Sequence, residues 1–228
     1  MSHPTFYMAC LNLTARRCLV VGGGPVALEK VGGLLASNAS ITVVAPEAVD
    51  EIRSLADHGA IELRSKPYER SDLEDCFLVI AATATPTLNR SVFADAEERS
   101  MLVNVVDVPA LCNFILPAVV REGPLAIAVS TAGASPALAK RIKREVAGHI
   151  GPHHARLAQL LNEVRAWAKE SLPHYEARKE FFEEIVNGSP DPVTLLREGR
   201  DEEVRALIEL AKDRAMAERL AADIPVPN

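Results

Sequence analysis

Three short stretches of this chain carry residue types at spacings that could do chemistry. The first is Gly22-Gly23-Gly24-Pro25-Val26-Ala27, directly after the apolar run Cys18-Leu19-Val20-Val21. Gly22, Gly24 and Ala27 satisfy the G-x-G-x-x-G/A spacing of a strand-to-helix turn that holds a dinucleotide. The first glycine permits the tight turn, and the second lets backbone amides approach a pyrophosphate. The small third residue lets helix and strand pack closely, with the helix N-terminus facing the anion. The second stretch is Asp107, which follows the apolar run Met101 to Val106 and precedes Val108-Pro109. A carboxylate there could take or give a proton beside a hydride transfer, or hold a metal; the competing reading is a turn or helix cap. The third is Ser130-Thr131-Ala132-Gly133-Ala134-Ser135-Pro136. Its hydroxyls and the amides of the helix it opens form a site for carboxylate or phosphate, and Lys140, Arg141, Lys143 and Arg144 follow on that helix. A capped surface helix with a solvated cationic face is the alternative.

Such residues need a scaffold that brings strand ends together, and the chain supplies one. Cys18 to Val21, Ser40 to Ala45, Ile61 to Arg64, Cys76 to Ala82 and Met101 to Val106 are apolar or alternating runs of strand length. Helices are expected from the glycine loop to about Ala36, from Glu47 to His58 with Gly59 past its end, and from Asn89 to Arg99. Phe6 to Leu13 is expected as a further strand, joined to Cys18 by a polar turn. Strands alternating with helices predict an α/β, Rossmann-like doubly wound parallel sheet, in which ligands sit at the carboxyl ends of the strands. Four such ends are readable: Gly22 to Val26, Ala45-Pro46-Glu47, Ala82-Thr83-Ala84 and Asn104 to Asp107. The acid that usually takes the ribose hydroxyl should end the second strand, and Glu47 or the backbone around Pro46 fills that place. No arginine stands there for a 2′-phosphate, which favours NAD over NADP.

Beyond Asp107 the pattern changes. Phe114 to Val120 and Leu125 to Ser130 flank the turn Glu122-Gly123-Pro124, as a hairpin outside the first sheet would. Ser135 and Pro136 are a good N-cap and first helical residue. From Gly151 onward only helices are expected, broken at Pro173 and at Asn187 to Pro192, with a last charged helix over Glu202 to Ala222. The expected division is a nucleotide-binding domain over 1–113, a middle element over 114–148 and a helical domain over 149–228.

Composition narrows the function classes. Of 228 residues, 48% are hydrophobic and 25% charged, so a core is easily buried; the net charge of −6 provides no basic field for nucleic acid. No apolar run approaches a membrane span, and the first residues lack the order of a signal peptide, so the cytoplasm is the expected compartment. Cys10, Cys18, Cys76 and Cys112 form no C-x-x-C pair, and His149, His153, His154 and His174 have no metal-site spacing, so neither set is assigned chemistry.

Taken together, VVGGGPVALEK, VVAPE, IAATATPTLN, NVVDVPALCNFILPAVV and LAIAVSTAGASPALAKRIK appear in order between about Phe6 and His154. This series resembles the precorrin-2 dehydrogenase/sirohydrochlorin ferrochelatase family, which includes the N-terminal half of siroheme synthase. The resemblance implies NAD-dependent oxidation of precorrin-2 to sirohydrochlorin and, in several members, insertion of ferrous iron at the same site. It implies a homodimer built from a Rossmann domain, a dimerisation element and a helical domain. By position, the essential aspartate is Asp107, which would also hold the iron transiently. NAD contacts fall on the glycine loop, including Gly23, Pro25 and Val26, and on Pro46, Glu47 and Thr83. Asn104, Ser130, Thr131, Gly133 and Ser135 would line the tetrapyrrole pocket. The chain departs from the family pattern at Glu29, where arginine is common, and at Ala132, where a glycine is usual. Thr131 replaces a serine that can be phosphorylated in the multifunctional enzyme. No methyltransferase half is present in the sequence, so precorrin-2 is not expected to be made here. A competing reading from another class is an NAD-binding regulatory module without catalysis.

Overall fold

The computed structural model describes residues 6–222 and divides into two compact units, Met1–Leu116 and Pro117–Asn228. The first unit is a five-stranded parallel sheet in the order β3-β2-β1-β4-β5. Its strands are β1 (Arg17–Val21), β2 (Ser40–Val44), β3 (Glu62–Arg64), β4 (Leu78–Ala81) and β5 (Leu102–Val105). Between them run α1 (Pro25–Leu35), α2 (Asp50–Asp57) and α3 (Pro86–Glu97). The strand order reverses between β1 and β4, so the loops after those strands flank the switch point of a doubly wound sheet.

Both faces of the sheet are covered, which is why its strands are continuous apolar runs rather than alternating ones. Cys18, Val20, Ile41, Val43 and Ile80 pack with Ala27 and Val31 of α1 and Ile52 of α2. Leu19, Val21, Val44, Val79 and Val103 pack on the other face with Val92 and Ala96 of α3.

The expected strand over Phe6 to Leu13 does not form. β1 is already paired with β2 on one side and β4 on the other, which leaves no ladder for it; Leu13 is buried while Tyr7, Met8 and Leu11 are exposed. α2 begins at Asp50 rather than Glu47, because the Val49 amide donates to the Gly23 carbonyl at 2.8 Å and holds residues 46–49 as a loop. α3 begins three residues earlier than expected, at Pro86, a residue pre-set for the first helical position.

The second unit opens with an antiparallel hairpin, β6 (Ala118–Glu122) and β7 (Leu125–Val129). β6 starts later than Phe114, since the Phe114 carbonyl accepts the Asn104 side-chain amide at 3.0 Å and Pro117 has no N–H for a ladder. Helices α4 (Pro136–Ala147), α5 (Pro152–Glu163), α6 (Arg165–Ser171), α7 (Tyr175–Val186), α8 (Pro192–Arg197) and α9 (Asp201–Ala222) follow. Pro136, Pro152 and Pro192 each stand in the first turn of a helix. Leu160, Ala168, Phe181, Ile185, Leu195, Val204 and Ile208 form the core of this unit, with Trp167 packed against Phe181 at a ring distance of 5.3 Å. Among the described residues no helix is long and apolar enough to cross a membrane.

Candidate functional site

The glycine loop is shaped by backbone packed on backbone. Gly22 has φ +124°, in the region side chains avoid, and donates its amide to Val44 O at 2.9 Å; a Cβ added there would lie 2.4 Å from the Ala82 carbonyl oxygen. A Cβ on Gly23 would lie 2.1 Å from the Glu47 carbonyl oxygen and 2.8 Å from Ala48 Cα. These two glycines therefore let the turns after β1, β2 and β4 converge. Gly24 differs, because a Cβ there would meet nothing within 4 Å. It is the N-cap of α1 and makes no side-chain cap hydrogen bond, so no capping side chain takes the first amides of the helix, which have no intrahelical partner. Pro25 and Val26 beside them are exposed, as are Pro46 and Glu47 across the gap. This cradle fits a dinucleotide pyrophosphate: donors without competitors, a helix N-terminus and room for close approach.

Thr83 stands after β4, but its hydroxyl is already engaged. It donates to Asn89 Oδ1 at 2.8 Å and accepts from the Thr85 amide at 3.2 Å, while Asn89 Nδ2 donates to the Thr83 carbonyl at 3.0 Å. Thr83 thus ties the β4 loop to α3, and what it offers a ligand is backbone rather than hydroxyl.

Asp107 ends the turn after β5 with φ +61°, a left-handed conformation that aspartate tolerates better than most residues. Its side chain is exposed and, among the described residues, takes no hydrogen bond or ion pair. A carboxylate capping a helix or turn would be engaged by an amide, so the cap reading does not describe it. Asn104, three residues earlier, is buried, and its Nδ2 donates to Phe114 O at 3.0 Å and approaches Cys112 Sγ at 3.5 Å. Its amide nitrogen therefore fastens the 112–114 segment to β5. Sequence reasoning missed the residue that completes this fastening. Asn113 Oδ1 accepts the Val103 amide at 2.8 Å, and its Nδ2 donates to Met101 O at 2.8 Å and Glu97 Oε1 at 2.9 Å. Its only sequence signal is an asparagine just beyond a buried strand.

In the second unit, the loop before α4 uses its own hydroxyls. Ser130 Oγ accepts the Ala132 amide at 3.1 Å, Thr131 Oγ1 the Ser135 amide at 3.0 Å, and Ser135 Oγ the Leu138 amide at 3.2 Å. Ala132 (φ +50°) and Gly133 (φ +86°) are both left-handed. Ser130, Thr131 and Ser135 thus satisfy amides that the sequence suggested would be open to an anion. On α4, Arg141 pairs with Glu145 at 2.8 Å, whereas Lys140, Lys143 and Arg144 make no ion pair among the described residues. At the start of α5, His153 Nε2 is buried and, among the described residues, meets no hydrogen-bond partner. Burial, then His154 and Arg197, hold its imidazole below the ordinary value. Among the described residues no three His, Cys, Asp or Glu side chains cluster as a metal site.

The solved structure of SirC, precorrin-2 dehydrogenase, superimposes on this chain with a TM-score of 0.74 at 30% identity, covering 90% of this chain and 99% of SirC. The chain belongs to the precorrin-2 dehydrogenase family. Family models agree along its length: an NAD(P)-binding model matches residues 9–118, the sirohaem biosynthesis central model 122–149, and the sirohaem synthase dimerisation region 153–211. Siroheme synthases from Methylococcus capsulatus and Thioalkalivibrio sulfidiphilus are each 40% identical, over 92% and 94% of this chain but 44% and 43% of their own lengths. The siroheme synthase of Pseudomonas fluorescens is 42% identical over 87% of this chain and 42% of its own. The chain thus spans less than half the length of these relatives. The glycine loop after β1 and the unengaged carboxylate after β5 both lie within the residues that the NAD(P)-binding model matches.

Proposed function

We propose that this chain is an NAD-dependent precorrin-2 dehydrogenase that forms sirohydrochlorin in siroheme biosynthesis, acting in the cytoplasm as a homodimer. The observation that carries the reading is the correspondence with SirC over nearly the whole of both chains; the dimerisation-region match over 153–211 supports the dimer. The amides at Gly23, Gly24 and the start of α1 hold the pyrophosphate, with Gly22 setting the turn. Pro25 and Val26 line one side of the cofactor, and Pro46, Glu47 and the Thr83 backbone line the other. NAD, when bound, supplies the hydride acceptor. Asp107 accepts the proton that leaves the macrocycle, a role for which an exposed carboxylate with no competing donor is suited. In the second unit, the cations of α4 and the hydroxyl hydrogens of Ser130, Thr131 and Ser135, whose oxygens already accept loop amides around Gly133, suit substrate carboxylates; in the first unit, Asn104 holds the 112–114 segment. In the bifunctional form of this reading, ferrous iron is a second substrate, and Asp107 takes the two N–H protons it displaces one at a time, passing each to solvent.

The test supplies enzymatically made precorrin-2 and NAD and follows absorbance with and without ferrous iron. Conversion to sirohydrochlorin is expected, and Asp107→Asn, which keeps shape and tolerates the left-handed backbone, should lower kcat by about a hundredfold or more while melting at the wild-type temperature. Absence of any spectral change would sink the dehydrogenase reading and leave an NAD-binding regulatory module. A change that stops at sirohydrochlorin with iron present would remove the chelatase step alone.

A further inference from the structure

The charged residues beside β3 form a closed network. Asp72, 2% exposed, accepts from Lys66 Nζ at 2.8 Å, the Glu69 amide at 2.9 Å and Arg64 Nη1 at 3.1 Å. Arg64 also donates to Glu62 at 2.8 and 3.4 Å, and Lys66 to Glu69 at 3.2 Å; the buried Thr42 hydroxyl completes Glu62 at 2.9 Å. Burial alone would push the Asp72 carboxyl up, but Lys66, the Glu69 amide and Arg64 together hold it below the ordinary carboxylate range. It is therefore ionised at neutral pH.

The place of this network gives it a meaning for cofactor choice. Arg64 ends β3 in register with Val44, which ends β2, and the Ala45 amide donates to the Arg64 carbonyl at 3.2 Å. The chain then runs into Pro46 and Glu47, where this fold places the adenosine ribose. A 2′-hydroxyl there needs an acceptor, whereas a 2′-phosphate needs a free cation. Arg64 and Lys66 are the cations at the end of β3, and both are committed; Arg53 of α2 pairs with Asp50 at 3.1 Å.

We infer that Asp72 is a specificity-determining positioning residue: as the buried carboxylate shared by both cations, with Glu62 on Arg64 and Glu69 on Lys66, it withholds them from a 2′-phosphate, so that the site takes NAD and discriminates against NADP. This rests on the cofactor reading above. The test measures Kd for NAD and NADP, and kcat/KM for each with precorrin-2, on the full chain. In Asp72→Asn the NADP-to-NAD preference should rise about ten- to hundredfold, the range a charge-assisted contact provides. Adding Arg64→Gln and Lys66→Gln should cancel the gain. An unchanged ratio in a folded Asp72→Asn protein, or a wild type that binds both dinucleotides equally, overturns the inference. Should Asp72→Asn fail to fold, Glu47→Arg places an uncommitted cation at the end of β2 and must shift the ratio the same way; no shift overturns it as well. The Kd ratio separates this inference from the dehydrogenase reading: selective NAD binding without turnover sinks only the latter, and no dinucleotide binding sinks both.

Discussion

The chain has two loops that lead into a helix behind an anion-binding signature, and they are built in opposite ways. Gly22 to Gly24 has no side chains to use, and its shape comes from contact with the backbones of Ala82 and Glu47. No capping side chain takes the amides at the start of α1. Ser130 to Ser135 is shaped by three hydroxyls that take three of its own amides. One loop is a cradle because it lacks side chains, while the other is capped because it has them. Similar motifs at helix starts therefore differ in what they can still bind, and the difference lies in where the hydroxyls go.

The contrast can be broken or sharpened by substitution. Gly23→Ala should have the largest effect: backbone cannot retreat from a Cβ 2.1 Å from a carbonyl oxygen, and a loss of about 3 kcal/mol or more in chemical denaturation is expected. Gly24→Ala should melt within about 0.5 kcal/mol of wild type, since its Cβ would enter open space. It should nonetheless weaken dinucleotide binding by about tenfold by obstructing close approach to the pyrophosphate; unchanged affinity would mean that Gly24 does not face the ligand. In the other loop the sign reverses. Ala132 carries a left-handed backbone without need, so Ala132→Gly should stabilise the protein by about 0.5–1 kcal/mol in melting experiments.

The smallest expected effect separates the two units by pH. His153 is held neutral, so its contribution is fully present above the ordinary imidazole value and lost as pH falls below it. Asp72 is held charged, and its contribution is present above the ordinary carboxylate value and lost only as pH falls below that range. Between about pH 7 and pH 5 the unit Pro117–Asn228 alone should weaken. Trp167, the single tryptophan, lies in that unit and reports it by fluorescence. His153→Gln should flatten the dependence.

Much of this was legible in the residues themselves. The four longer parallel strands announce themselves because both faces are buried, so Leu78 to Ala81 and Leu102 to Val105 needed no partner to be recognised. Ser135 and the helix-starting prolines carry their instruction locally. What failed to show depends on neighbours distant in sequence. Phe6 to Leu13 has strand-like residues, but β1 has no free side to receive it. Asn113 is an unremarkable loop residue until Val103 and Met101 lie beside it. Thr83 stands at a strand end, and only the approach of Asn89 shows that its hydroxyl is engaged. That Asp107 closes a buried strand was visible; whether a polar side chain was already occupied was not.

The way Asn113 sits has a last consequence. A parallel sheet ends in rows of bare N–H and C=O groups that invite any passing strand to join, the usual first step toward aggregation. Asn113 answers that invitation on the β5 side with a single side chain, and Cys112 Sγ receives the Val105 amide next to it. On the opposite side β3 is three residues long and flanked by charge. The five-stranded sheet thereby carries a guard at each margin, a side-chain clasp beside β5 and a charged, shortened strand at β3.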